Sequence, residues 1–141
     1  AEVFASLWQH TGMSTSKVTV LAGPTAVGKG TVIARLRERF PQVELSVSMT
    51  TRSPRPGEVD GVHYHFVSEE EFVRLVDAGQ MLEWALVHGK YHYGTPRGPV
   101  DDAVKRGVPF LLEIDIAGVR QVRQSLFFLR LRRGTSSLLA L

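Results

Sequence analysis

The chain has 141 residues, the scale of one domain, and its 43% hydrophobic content suffices for a buried core and excludes wholesale disorder. Its 17 Lys and Arg against 14 Asp and Glu leave +3, too small and too interleaved an excess to point to nucleic acid; a site for small anions accounts for it equally well. There is no cysteine, which excludes disulfides and thiol-ligated zinc, and no stretch approaches the ~18 apolar residues of a membrane helix.

Residues 1–16 (AEVFASLWQHTGMSTS) lack the basic start and apolar run of a secretory signal. Met13 reads as a native start, which makes 1–12 an extension; the alternative is a short helix with Phe4, Leu7 and Trp8 on one face. The default expectation is a soluble cytoplasmic protein with no nucleic-acid or membrane partner. Lys17–Ala22 (KVTVLA) alternates and is rich in β-branched residues, so it predicts a strand.

That strand runs into Gly23-Pro24-Thr25-Ala26-Val27-Gly28-Lys29-Gly30-Thr31. The spacing of Gly23, Gly28 and Lys29 fits a Walker A phosphate loop between a strand and a helix. Glycines let backbone N–H groups approach phosphate oxygens, and the following helix turns its positive end to the same anion. Lys29 adds a charge that can follow a transferring phosphoryl group. Gly30 stands where Ser or Thr is usual, with Thr31 next; Mg²⁺ would then be held largely through water and substrate phosphates.

From Lys29 the spacing turns helical, with Val32, Ile33, Leu36 and Phe40 on one stripe, and Pro41 ends the helix. Glu44–Met49 is a second strand candidate. The loop TTRSPRPGEVDG follows, whose Arg52 and Arg55 can converge on one phosphate with planar donor forks. His63–Val67 predicts a short strand, and Ser68 caps a helix with Glu71 as capping-box partner, Phe72, Leu75 and Val76 facing inward and Gly79 as the stop. Gln80–Tyr93 predicts extended chain turning at His88-Gly89. Thr95-Pro96 predicts a helix start as cap and first-turn proline, with Gly107 as the end.

Val108–Ile114 is a continuous apolar run ending in acids, as in a strand buried on both faces of a parallel sheet. Alternation puts Glu113 and Asp115 on one face of it. Strands alternating with helices argue an α/β fold with ligands at the carboxyl ends of the strands. Helical residues 118–125 then meet Leu126-Phe127-Phe128-Leu129 and Arg130–Thr135 with no turn between. A crossover needs about a dozen residues or more, so residues are expected to be missing at this junction.

The order SVSxTTRxPRxGExxGxxYxF over residues 46–66 resembles the GMP-binding segment of guanylate kinases. Leu82-Glu83-Trp84-Ala85, Tyr93-Gly94-Thr95-Pro96-Arg97 and Leu112-Glu113-Ile114-Asp115-Ile116-Ala117-Gly118 continue that family's pattern in the same order, so the resemblance covers roughly 17–125. It implies a P-loop NTPase-type parallel sheet flanked by helices, with a core of about 17–45 and 94–141. A small GMP-binding subdomain of about 46–93 and a mobile lid, incomplete in this sequence, would complete the domain of 17–141.

The same resemblance implies transfer of the ATP γ-phosphoryl group to GMP, and to dGMP as well, with Mg²⁺ as cofactor. Arg52, Arg55, Tyr64 and Tyr93 resemble the clamp on the GMP phosphate; Ser48, Glu83 and Thr95 resemble the groups that read guanine. Glu58 and Asp115 fall on the GMP side, residues Gly23 to Thr31 on the ATP side, and Thr31 and Glu113 toward Mg²⁺. Lys29, Arg52 and Arg133 are the implied catalytic residues, Arg133 being equated with the lid arginine before Gly134-Thr135. A carboxylate at 83 accepts from guanine N1–H and N2–H₂ together, whereas adenine N1 would face it with a lone pair.

The chain departs from the family at the lid, where Arg130–Thr135 is one residue short and no second lid arginine or adenine-contacting segment is found. Ala26 replaces a frequent glycine, tolerable at negative φ. Two other readings stand beside the kinase. A guanylate-kinase-like interaction module is opposed by the intact Gly23–Lys29 loop, and another nucleoside monophosphate kinase, suggested by GKGT, is opposed by Arg52, Arg55, Glu83 and Tyr93.

Overall fold

The computed structural model of the protein describes residues 18–22, 28–114 and 139–140. Expectations for residues 1–16, Gly23 to Val27, Asp115, the helix at 118–125, its junction and the lid stretch with Arg133 lie outside the described residues.

Strand β1 (Val18–Ala22) leads to helix α1 (Lys29–Arg39), then β2 (Glu44–Leu45), β3 (Met49–Thr50) and β4 (His65–Phe66). Helix α2 (Glu69–Asp77), β5 (Met81–Val87), β6 (Tyr91–Pro96), helix α3 (Gly98–Arg106), β7 (Phe110–Ile114) and β8 (Leu139–Ala140) follow. The first sheet is parallel throughout, in the order β2-β7-β1-β8; the second is mixed, in the order β4-β3-β6-β5. The α/β expectation holds.

The core lies where α3 packs on the parallel sheet. Val18 and Val20 of β1 sit in register with Phe110 and Leu112 of β7, and Ile114, Val100 and Ala103 close the cluster. Leu111 is buried on the opposite face, as a central parallel strand requires. Each such apolar side chain contributes roughly 1.5–3 kcal/mol by burial. Leu82 of β5 joins the same cluster and so fastens the second sheet to the first. By contrast α1 has no buried residue among those described: Ile33 and Leu36 are half-buried and Val32 is exposed. At about 100° per residue Val32 lies some 70° off the line through Ile33 and Leu36, so the inward stripe is narrower than the spacing suggested.

Three sequence expectations are corrected. The single strand expected over Glu44–Met49 is two, one in each sheet. Its first half tracks β7, with Ser46 N–H donating to Leu111 O at 2.9 Å and Ser46 Oγ accepting from Glu113 N–H at 3.1 Å. Its second half pairs with β6. The helix expected from Thr95 begins instead at Gly98, with Arg97 as its cap residue and Pro99 in the first turn, while Thr95 and Pro96 belong to β6. The expected strand at His63–Val67 is the shorter β4.

Helix α2 starts as expected: Ser68 Oγ accepts from Glu71 N–H at 3.2 Å. The reciprocal half of a capping box is absent, because the Glu71 carboxylate takes Arg74 at 2.6 and 2.7 Å. The β5–β6 hairpin turns at His88 and Gly89, both at positive φ (53° and 61°), the signs of a type I′ turn. Phe72 of α2 is fully buried and stacks on His92 at 5.1 Å, so α2 covers one face of the second sheet.

Candidate functional site

The face of the second sheet away from α2 gathers most of the predicted polar residues. Alternation along β6 puts His92 and Gly94 toward α2, and Tyr93 and Thr95 on the other side. Glu83 of β5 is in register with Thr95, and Thr50 of β3 with Tyr93. Ser48, two residues before Thr50, shares that side by the same alternation.

Thr95 is 1% exposed and its Oγ1 donates to Glu83 Oε1 at 2.6 Å. This bond is why Thr95 is not a helix cap: its hydroxyl is spent across the sheet. The two strands approach closely here because residue 94 is glycine. A Cβ on Gly94 would lie 2.5 Å from Met81 Cε, 2.7 Å from Glu83 O and 3.0 Å from Trp84 Cβ.

Next to that pair stands Arg52, 8% exposed. Its Nε donates to Tyr93 Oη at 3.1 Å, and Nη1 donates to Ser53 O at 2.8 Å. Nη1 and Nη2 hold the two oxygens of Glu58 at 3.0 and 2.9 Å. Of the five guanidinium N–H groups, four are thus engaged and one on Nη2 remains. The Arg52 fork therefore grips Glu58, a partner the expectation of two converging forks did not include.

Glu58 also accepts from Arg55 N–H at 2.7 Å. The Arg52 hydrogen bonds, with that backbone donor second, hold the Glu58 carboxyl at about 2, and the same carboxylate raises the Arg52 guanidinium further above its ordinary range. Among the described residues no hydrogen bond or ion pair engages the exposed Arg55 side chain. Arg52 lies over the rings of Tyr64 and Phe66, 5.4 and 5.9 Å from their centroids, and Tyr64 meets Tyr93 edge-on at 6.0 Å. The loop that presents Tyr64 is folded on itself: Val59 N–H donates to His63 Nδ1, Gly61 N–H to Tyr64 O and Phe66 N–H to Asp60 Oδ1.

The other predicted group comprises the start of α1, which follows β1 in the chain, and Glu113 near the carboxyl end of β7. Gly28 takes a left-handed φ of 88°, and its carbonyl accepts from Thr31 and Val32 N–H at 3.1 and 3.2 Å, which starts α1 at Lys29. Gly28, Lys29, Gly30 and Thr31 thus form the N-terminal turn of an 11-residue helix. Glu113 is exposed and in register with Leu21, one residue from the end of β1. Among the described residues no three His, Cys, Asp or Glu side chains gather to hold a metal. No helix among them is long and apolar enough to cross a membrane.

The sequence reading gave no role to Thr50, Thr51, Phe66 or His92, all of which touch the residues of this face. Counting in twos from Ser48 would have flagged Thr50; nothing local flags His92, whose hydrogen-bond partners Thr50 and Thr51 lie some forty residues away.

The guanylate kinase family model matches residues 15–129, most of the chain. The chain belongs to the guanylate kinase family. The guanylate kinase of Leifsonia xyli is 62% identical over 109 residues, which are 77% of this chain and 43% of that protein. The one from Synechococcus is 58% identical over 113 residues, 80% of this chain and 59% of that protein. The crystal structure of guanylate kinase from Anaplasma phagocytophilum superposes with a TM-score of 0.64 at 36% identity, covering 91% of this chain and 60% of that one. The chain therefore spans about half the length of these guanylate kinases. The matched span takes in the glycine-rich loop, the face with Arg52, Glu83, Tyr93 and Thr95, and Asp115, and stops short of Arg133.

Proposed function

We propose that the protein transfers the γ-phosphoryl group of ATP to GMP, giving ADP and GDP, in the cytoplasm, with dGMP as a second acceptor. The observation that carries this reading is the single face on which Glu83–Thr95 and Arg52–Tyr93 stand side by side. Tyr93 and Thr95 are two residues apart on one strand, about 7 Å, so one ligand can meet a base-reading pair at one end and a cationic clamp at the other.

The chemistry of each pair favours that ligand. Thr95 gives its proton to Glu83, so the pair offers only lone pairs outward. Guanine answers with N1–H and N2–H₂, and Ser48 can donate to its O6; adenine would bring a lone pair to a lone pair. At the other end Tyr93 Oη accepts from Arg52 Nε, which leaves the phenolic hydrogen to donate outward beside the remaining Nη2–H. Arg55 and Tyr64 add a full charge and a second hydroxyl, and Asp115 would lie on the same acceptor side.

The donor phosphates would rest on the glycine-rich loop and the first turn of α1, where the helix presents the positive end of its dipole to an anion. Lys29, Arg52 and the lid arginine Arg133 would neutralise the charge that spreads over the transferring group, and catalysis comes from in-line positioning without a covalent intermediate. The oxygen donors Thr31 and Glu113 fit Mg²⁺ held mostly by water and phosphates, and among the described residues no cluster of three carboxylate or imidazole groups forms a protein cage. When bound with ATP, that ion would supply neutralisation of the donor phosphates.

The test is ADP release from ATP with each of GMP, dGMP, AMP, CMP and UMP. Turnover with GMP well above the others is expected. Equal turnover with AMP, or none with GMP, would overturn the reading.

A further inference from the structure

Thr50 is fully buried, yet it carries a hydroxyl into the junction between β3 and β6. Its Oγ1 donates to His92 O at 3.0 Å and accepts from Arg52 N–H at 3.2 Å. One atom thus ties the backbone of Arg52 to the residue just before Tyr93. Thr51 repeats the grip from the next position: its N–H donates to the same carbonyl at 3.1 Å, and its Oγ1 accepts from His92 N–H at 3.0 Å. On the far face the His92 ring stacks on Phe72, and Nδ1 lies 2.7 Å from Glu69 Oε1. Residue 92 is therefore held at its N–H, its C=O and its ring, and makes a fixed point against which residue 52 can be set.

We propose that Thr50 is a positioning residue for the acceptor phosphate. Through its hydroxyl it sets where the Arg52 guanidinium meets the Tyr93 hydroxyl, and the inference rests on the acceptor reading given above. β3 ends at Thr50, so no regular ladder bond fixes the chain at Arg52. The threonine hydroxyl supplies that constraint from inside the sheet. Valine at this position keeps the shape and loses both bonds. His92 O would keep its bond from Thr51 N–H, so the loss falls on the Arg52 side, where a backbone N–H is left unpaired.

The experiment is calorimetric titration of the full-length protein with GMP and, separately, with ATP. Thr50→Val should weaken GMP binding about tenfold and leave ATP binding unchanged. On an Arg52→Ala background Thr50→Val should add less than about twofold, because the residue acts through Arg52. Thr50→Ser and Thr50→Ala both remove the methyl, but only serine keeps the hydroxyl; serine should bind GMP near the unaltered level and alanine should not. Unchanged GMP affinity in Thr50→Val, an equal loss toward ATP, a full tenfold loss on the Arg52→Ala background, or equal affinities of the serine and alanine variants would each overturn the inference. Unaltered protein that takes up ATP but no GMP would instead overturn the acceptor reading itself.

Discussion

Gly94→Ala adds one methyl group to a strand whose backbone would otherwise accept it. Gly94 is not among the glycines at positive φ, so alanine meets no conformational strain, and stiffening the unfolded chain would by itself stabilise by about 0.4–1 kcal/mol. Against this stand three contacts at 2.5, 2.7 and 3.0 Å. Met81 Cε is the end of a flexible side chain and can swing aside. Glu83 O and Trp84 Cβ belong to or adjoin the backbone of β5 and can yield only if that strand moves. Forcing a methyl into such a site costs about 1–3 kcal/mol, so crowding wins. A net loss of about 1–2 kcal/mol lowers the melting temperature by roughly 3–8 °C for a protein of this size. The same displacement lengthens the 2.6 Å bond from Thr95 to Glu83, so GMP affinity should fall about tenfold while ATP affinity holds. Thermal unfolding and GMP titration of the purified variant check both. A variant that melts at or above the unaltered protein would refute the close approach as the reason for glycine.

Lys29→Ala should lower turnover about a hundredfold or more with GMP affinity little changed, which steady-state kinetics and a GMP titration would separate. Glu83→Gln should lower catalytic efficiency with GMP roughly tenfold to a hundredfold and raise AMP relative to GMP; a GMP/AMP ratio that does not fall would remove Glu83 from base recognition. Glu58 is held at about 2, below its ordinary 4.5, so its contribution to stability is complete above pH 4.5 and is lost as pH falls toward 2. The stability difference between the unaltered protein and Glu58→Gln should therefore shrink steadily from pH 5 to pH 3, as read from urea midpoints.

What could be read from the sequence was whatever is decided within a few residues. Ser68 before an acidic turn, the His88-Gly89 turn and the apolar run of β7 each carry their own local chemistry, and each stands where it was expected. Thr95-Pro96 looks identical, locally, to a capped helix start. What overrules it is Glu83, twelve residues earlier, which takes the hydroxyl across the sheet. Likewise nothing within Glu44–Met49 says that its two ends belong to different sheets; that is set by β7 and β6, far along the chain. The site followed the same division. Spacing brought only Arg52 and Arg55 to notice, and the resemblance to guanylate kinases added Glu58, Tyr64, Glu83, Tyr93 and Thr95; neither could tell which arginine would be occupied by a carboxylate.

That occupancy changes how the clamp has to be understood. A guanidinium as buried as Arg52 would be an uncompensated charge without a partner, and Glu58 supplies one with two hydrogen bonds in the geometry arginine favours. Two more bonds, to Ser53 O and Tyr93 Oη, and the rings of Tyr64 and Phe66 leave the group no freedom to turn. Most of its positive charge is thereby answered within the fold. In the proposed function its value to an incoming phosphate would be largely geometric: a fixed Nη2–H beside a tyrosine hydroxyl whose oxygen already accepts and whose proton is left to donate. In the same proposal Arg55, whose backbone is tied to Glu58 while its side chain stays exposed, would add to the attraction for the phosphate dianion. Both arginines carry a full charge, but the one carboxylate of Glu58 fixes the side chain of Arg52 and only the backbone of Arg55.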